Sequence, residues 1–326
     1  MSDPTYEWLS LRDGVRLRTA RWSSFGTLRG TVLLLSGRAE FIEKYTETAE
    51  ALVARGFQVV TFDWRNQGLS DRPLANRQIH HLRDFATLAD DLDAVHEAVV
   101  RPLAGSGPVL LMAHSMGGLV ATLALARHAA GGLEGGEREG DPQRYAAAIL
   151  SAPMHAINTG WLPRPLVAGL AALGLALGWG ERYAFGQHDY DPAEGVFRPD
   201  NPITSDPARY AAFHGPYAAR PELRVGGVSF GWVAAALRAS AAVRRTLPLE
   251  RVRTPVLLLC APGDRIVRAD AQREVANRLG NATLVEHPEA GHELLMERDA
   301  IRDRVWADID GFLDRVLAKE AAPVAG

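Results

Sequence analysis

Residues 6–22 alternate apolar and polar positions around Asp13-Gly14, the pattern of an N-terminal β-hairpin. After it the period changes. Short unbroken apolar runs recur at TVLLLSG (31–37), FQVVTFD (57–63), PVLLMAHS (108–115), YAAAILSAP (145–153), PVLLLCAPGD (255–264) and ATLVEHP (282–288). Runs of this length, rich in Val and Leu, predict strands buried on both faces. Longer stretches of helical periodicity lie between them, predicting helices at 44–55, Phe85–Val100, the GGLVATLALARHAA stretch after Ser115, 269–279 and 299–318. Buried strands alternating with amphipathic helices predict an α/β fold, with an open, doubly wound, mostly parallel sheet covered on both faces.

The rhythm breaks between residues 154 and 248, which are rich in Pro, Gly, Ala and aromatics and show helical patches without a clear strand. Sheet pattern then resumes. The predicted organisation is a core of residues 1–153 and 249–326, with 154–248 inserted as a helical cap over the strand ends, where open α/β sheets bind ligands. Inside the cap, the sixteen residues PLVAGLAALGLALGWG between Arg164 and Glu181 carry no charge. That is short of the ~20 residues that span a bilayer, so a buried or interfacial helix is expected. GGLEGGEREGDP (131–142) reads as a mobile surface loop and KEAAPVAG (319–326) as a frayed tail.

Composition narrows the function classes. The 326 residues, 47% hydrophobic and 23% charged, suffice for one large core plus an insertion. A formal net charge of −3 and the lack of a basic stripe argue against a nucleic-acid partner. Cys260 is the single cysteine, so no intramolecular disulfide is expected, which suits a reducing compartment. MSDPTYEWLSLRDG at the start has an acid at position 3 and no apolar run, so no secretory signal is expected and the cytoplasm is the default. His80-His81 would need further ligands at suitable spacing to hold a metal, and neither a metal nor a cofactor is expected.

Two serines compete for chemistry. GVSFG (227–231) matches G-x-S-x-G literally, the pattern of a nucleophile on a sharp strand-to-helix turn, whereas AHSMG (113–117) departs from it at Ala113. Context separates them: Ser115 follows the buried run PVLLMAH and precedes a helical stretch, while Ser229 follows PELRVGGV, which has no apolar run. Ser115 is the expected nucleophile, its plain alternative being a structural turn serine. Ser229 is expected to cap a helix or pack within the cap.

A serine needs a base, and the base needs an orienting acid. In sheets of this kind the partners follow in the order Ser, acid, His at the ends of later strands. PVLLLCAPGD places Asp264 just past a strand tip, with a simple turn role after Pro262-Gly263 as the alternative; EAGHE places His292 on the loop before the last helix. The two lie 28 residues apart, the span of one strand-helix-strand unit, so adjacent strand tips would bring them together. His287 falls too early for that loop, and His80 and His81 precede Ser115; hydrogen-bonded packing is their expected role. An oxyanion hole needs two backbone N–H groups, which Met116 after the nucleophile and Arg38 in SGRAEF would supply, with Gly37 allowing close approach. The Arg38 side chain would meet an anionic group or form a surface ion pair.

SGRAEFIEKY (36–45), FDWRNQGLSDRP (62–73), AHSMGG (113–118), PGDRIV (262–267) and AGHELL (290–295) together resemble the bacterial lysophospholipase and monoacylglycerol-lipase-like group of α/β-hydrolases, beside which the serine aminopeptidases are grouped. The resemblance runs from about residue 10 to 318. It implies the α/β-hydrolase fold with Ser115 as nucleophile, Asp264 as acid, His292 as base, and Arg38 and Met116 as oxyanion donors. Three positions depart from the pattern: Ser36 where many relatives have His, Asn66 where they have Gly in the turn after the fourth strand, and Ala113 for Gly. Asn is, after Gly, the residue that best accepts a left-handed backbone.

The expected activity is hydrolysis of a carboxylic ester of a monoacyl lipid, a lysophospholipid or monoacylglycerol, through an acyl-enzyme. LVAGLAALGLALGW, with Phe185, Tyr190, Phe197, Phe213, Tyr217, Phe230 and Trp232, would line an acyl groove and touch a membrane at its inner face, or simply pack the cap. Arg182, Arg198, Arg209 and Arg220 are candidates for a phosphate. A peptidase or small-ester hydrolase would share the triad, and a peptidase would need an amine site such as Asp189, Asp191 or Glu194. A silent ligand-binding protein on this fold is the non-enzyme alternative, disfavoured by an intact Ser115, Asp264 and His292.

Overall fold

The alternating stretch at the start folds into β1 (Thr5–Ser10) and β2 (Arg16–Trp22), paired antiparallel across a turn in which Gly14 takes a φ of 86°. The computed structural model describes residues 3–24, 26–131 and 144–321. The six apolar runs form β3 (Gly30–Leu35), β4 (Phe57–Phe62), β5 (Val109–His114), β6 (Ala147–Ser151), β7 (Val256–Cys260) and β8 (Ala282–Glu286). β3, β6 and β7 are buried along their whole length, which is why they read as unbroken Val, Leu and Ala.

All eight strands join one sheet in the order β1-β2-β4-β3-β5-β6-β7-β8, antiparallel through β2 and β4 and parallel beyond. Helices α1 (Thr46–Ala54), α2 (Ala86–Val95), α3 (Arg101–Ala104) and α4 (Ser115–Ala129) connect the first half. The predicted helix 85–100 is less regular than its periodicity suggests: α2 passes through a π turn at His96–Val100 into α3, whose first turn holds Pro102, where no N–H is needed. β4 lies on one side of β3 and β5 on the other, so the loops leaving the carboxyl ends of β3 and β5 diverge. That is the switch point at which an open α/β sheet leaves a crevice.

Between β6 and β7 come α5 (Arg164–Ala176), α6 (Pro207–His214), α7 (Pro216–Ala219) and α8 (Phe230–Arg245), and no strand among the described residues. This segment is tied to the sheet loops by backbone: the buried Arg72 donates to the carbonyls of Gly68, Arg77, Leu223 and Arg224. After β7 follow α9 (Ala269–Arg278) and α10 (Asp299–Ala321). α10 therefore runs into the expected tail, whose remainder lies outside the described residues, as does the expected loop from residue 132 on.

α5 corrects one expectation. Only Ala171 and Gly174 of it are buried, and a Cβ on Gly174 would come within 2.4 Å of the Phe230 ring. The small residues let α5 lie against α8, which turns Leu166, Leu173, Leu175 and Leu177 outward. The apolar stretch is thus a surface, not an inner wall. No described helix is long and apolar enough to cross a membrane.

Candidate active site

β5 ends at His114 and α4 begins at Ser115, with no residue between them to absorb the change of direction. Ser115 takes it up with a φ of 49°, a region costly for any residue but Gly. The helix can start so close to the sheet because Gly117 has no side chain: a Cβ there would sit 2.6 Å from the Ser36 carbonyl. Ala113 is buried in the core, so its methyl group is accommodated without displacing this turn.

The two later loops converge on Ser115. Asp264 lies beyond β7 with its side chain fully buried; its Oδ1 accepts from the amides of Ile266 (2.7 Å) and Val267 (3.1 Å). The turn role weighed from the sequence is met by Oδ1, and it leaves Oδ2 free to face His292. Oδ2 is 2.6 Å from Nδ1 of His292, and Nε2 of His292 is 2.9 Å from Ser115 Oγ. A carboxylate can only accept, so Nδ1 carries the proton and Nε2 is left to accept from the serine hydroxyl. The His292 loop is held from outside by the inserted segment: the His292 and Glu293 amides donate to the carbonyls of Pro202 (3.2 Å) and Ile203 (2.9 Å).

The loop after β3 is pinned at several polar points. Gln67 accepts from the Ala39 amide (3.1 Å) and donates to the carbonyls of Gly37 (2.8 Å) and Glu40 (3.1 Å), and the Gly37 amide donates to the Glu40 carboxylate. The Arg38 amide has no partner among the described residues. Met116 is in the first turn of α4, where N–H groups lack intrahelical acceptors. Asn66 takes the left-handed conformation expected of it, with a φ of 71°, and its side chain donates to the His81 carbonyl (2.6 Å).

Ser115 and His292 open on a cavity of about 290 Å³ whose lining includes Arg38, Tyr190, Phe213 and Tyr217 together with Asp189 and Glu194. Its wall mixes aromatic faces with charge. Burial pushes the Arg38 guanidinium below its ordinary value, and its Nη1 donates to the Gly226 carbonyl at 2.9 Å.

The profile of the family described as Hydrolase_4: Serine aminopeptidase, S33 matches residues 26–299. The chain belongs to this family. This S33 chain is 31% identical over 306 residues to "Lysophospholipase L2" of Escherichia coli (strain K12), covering 87% of this chain and 80% of that protein. It is 30% identical over 288 residues to "Probable lysophospholipase L2" of Haemophilus influenzae, covering 88% and 84%. The solved structure of a soluble variant of monoglyceride lipase from Saccharomyces cerevisiae, in complex with a substrate analog, aligns with a TM-score of 0.71 at 18% identity over 97% of this chain and 96% of that one. The shared architecture is the α/β-hydrolase fold the sequence predicts, and the S33 protein is a hydrolase.

The remaining candidates of the S33 chain are dispersed. Ser229 is the N-cap of α8, accepting from the Trp232 amide (3.0 Å) and lying 2.9 Å from His81 Nδ1. Ser229→Ala should therefore lower stability by about 1 kcal/mol, the usual cost of a lost cap, and leave turnover within twofold, read by thermal melts beside ester hydrolysis. His80 packs against Trp232, and His287 faces Asp308 at 3.3 Å. None of Arg182, Arg198, Arg209 and Arg220 lines the cavity; Arg209 is bound to Glu47 and Asp299, and Arg220 to Glu43. Of the aromatics, Phe230 and Trp232 are buried in the first turn of α8 and Phe185 is exposed. Sequence reasoning passed over the buried Glu40, Lys44, His114 and Glu293, although each lies inside or beside a motif and a charge within EFIEKY was a visible signal.

Proposed function

We propose that this hydrolase cleaves carboxylic esters of monoacyl lipids, lysophospholipids or monoacylglycerols, by acyl transfer through Ser115, His292 and Asp264. The observation that carries the reading is the unbroken chain of short contacts from Asp264 through His292 to Ser115 at the mouth of a cavity. His292 takes the proton as Ser115 attacks the ester carbonyl, the Arg38 and Met116 amides hold the oxyanion, and Asp264 stabilises the imidazolium. His292 then protonates the leaving alcohol, and water repeats the attack on the acyl-enzyme. The names of the two bacterial relatives support the lipid substrate. Segment 154–248 acts as the cap that shapes the cavity, with Arg38 placed for a head-group phosphate and the aromatic lining for the start of the acyl chain.

The test is a panel of p-nitrophenyl esters from acetate to palmitate, monoacylglycerols, and lysophosphatidylcholine, with Ser115→Ala as control. Cleavage of the long-chain monoacyl lipids by the wild type alone upholds the reading. Hydrolysis confined to short esters removes it. A second reading has its own observation: Asp189 and Glu194 line the cavity and would suit the free amine of a peptide substrate. Amino-acid p-nitroanilides in the same panel separate the two.

The outward apolar face of α5 supports our reading that the protein touches a lipid surface, at the inner face of the membrane. Trp161, 89% exposed, stands just before a helix with no charge from Pro165 to Gly180, an arrangement that suits the headgroup boundary. Replacing Trp161, Leu173 and Leu177 together by Ser should weaken sedimentation with phosphatidylcholine vesicles by about tenfold, since binding follows the apolar area buried, and leave hydrolysis of a soluble short-chain ester intact. Unchanged sedimentation would remove the membrane contact.

A further inference from the structure

We propose that Glu40, Lys44, His114 and Glu293 form a buried, charge-balanced network that positions the oxyanion loop against the base loop and sets how readily His292 takes up a proton. The inference rests on the triad reading above and goes beyond it to four residues that touch no substrate.

Two loops and the end of a strand meet in this network. Glu40 belongs to the loop after β3, His114 is the last residue of β5 and immediately precedes Ser115, and Glu293 immediately follows His292. The Lys44 side chain is only 1% exposed, and its ammonium lies 2.6 Å from Glu40 Oε1 and in contact with Glu293 Oε1. The same Glu293 oxygen is 3.1 Å from His114 Nε2, with Glu40 Oε1 at 3.7 Å. The second oxygen of Glu40 accepts from the Tyr45 hydroxyl (2.6 Å) and from the Gly37 amide, next to the unpartnered amide of Arg38. The ligating atoms of Glu40, His114 and Glu293 lie within 4.8 Å of one another, which is the spacing of a cation site. The cation is supplied by the chain itself, as the ammonium of Lys44.

The charges balance only with His114 protonated, two carboxylates against an ammonium and an imidazolium. Burial pushes His114 down, but the Glu293 and Glu40 carboxylates outweigh it and hold the imidazole above its ordinary value. Burial likewise opposes charge on Glu293, yet His114 and Lys44 hold it well below the usual carboxylate range. The network abuts the base directly: the rings of His114 and His292 are 4.7 Å apart. The titratable groups facing this ring pair from the packed elements are Glu40, Lys44 and Tyr45 from the first loop and Asp264 from the loop after β7. Glu293 comes from the loop of His292 itself, and from the inserted segment His214 lies near Lys44 and Tyr217 near Glu40.

A cation removed from this network leaves one net negative charge beside His292, which favours the imidazolium. The base is then lost to protonation at a higher pH. Lys44→Met should therefore move the acidic limb of kcat/KM for a soluble short-chain ester upward by about one pH unit, as expected for one charge some way through a protein interior. Lys44→Arg keeps the charge and should leave the limb in place. The double variant Lys44→Met with Glu40→Gln restores the balance while the glutamine carbonyl can still accept from the Gly37 amide, and its limb should return to the wild-type position. Should Lys44→Met fail to fold, His114→Gln makes the same charge change and should give the same upward shift. A limb unmoved in the folded single variants, or equally displaced in the balanced double, overturns the inference and leaves the network a packing feature. Failure of the triad reading looks different: Ser115→Ala would then retain turnover.

Discussion

Ser115→Ala should lower kcat by about six orders of magnitude, as in serine hydrolases whose nucleophile is removed, while the protein keeps its wild-type melting temperature. The reason lies in how little else the hydroxyl does. Ser115 Oγ meets His292 Nε2 and makes no other side-chain hydrogen bond among the described residues. The strained turn is held by backbone and by glycines, including the Met154 amide on the Ser115 carbonyl at 2.8 Å. Alanine pays the same penalty at a φ of 49° as serine does, so folding is not the casualty. Some thousandfold acceleration over water should persist, from the Arg38 and Met116 amides. Labelling with a fluorophosphonate checks the assignment independently of substrate: one serine modified in the wild type, none in the variant. Modification at Ser229, or turnover within tenfold of wild type, would place the nucleophile elsewhere.

Asp264→Asn should cost about four orders of magnitude in kcat with little change in KM, by a different route. The carboxylate accepts on both oxygens, Oδ1 from two backbone amides and Oδ2 from His292. Asparagine keeps its carbonyl oxygen on the amides and presents an NH₂ to Nδ1. A donor there obliges Nδ1 to accept, which moves the imidazole proton to Nε2, where it points at Ser115 and cannot leave room for the hydroxyl proton. The geometry survives and the base is lost. Activity within a hundredfold of wild type in a folded Asp264→Asn protein would mean that another group orients His292.

These two expectations separate roles that the buried network would otherwise blur. Ser115 supplies the attacking oxygen and Asp264 keeps the proton on Nδ1 of His292, so the loss of either is large at every pH near neutrality. Lys44 acts through the charge environment of His292, and its loss displaces a pH profile without abolishing turnover.

Much of this was legible in the chain. The Val- and Leu-rich runs became β3 to β8; β3, β6 and β7 read as unbroken because a strand covered on both faces has no polar side to show, whereas β8, expected to be buried as well, lies at the sheet edge and is only partly covered. The order of Ser115, Asp264 and His292 also followed, since each sits directly after a strand and a parallel sheet puts all such ends on one edge. The literal G-x-S-x-G at Ser229 could be set aside on the same ground: without a strand before it, the motif is a helix cap. Asn66 could be assigned a left-handed backbone from its residue type alone.

What the tertiary structure alone decided depends on residues far apart in sequence. The apolar run of α5 turned outward because Ala171 and Gly174 met Phe230, a neighbour more than fifty positions on, and no periodicity within the run encodes that partner. The arginines of the inserted segment went to acids of the core, not to the cavity, for the same reason. Glu40, Lys44, His114 and Glu293 drew no role from the sequence; only the approach of two loops to the end of β5 removes their side chains from water and obliges them to pair. Sequence by itself determined the strands and the candidate nucleophile, acid and base, because these rest on short-range sterics and strand order. Which charges share a buried space, and which apolar face is left exposed, were set by long-range packing that the fold brings about.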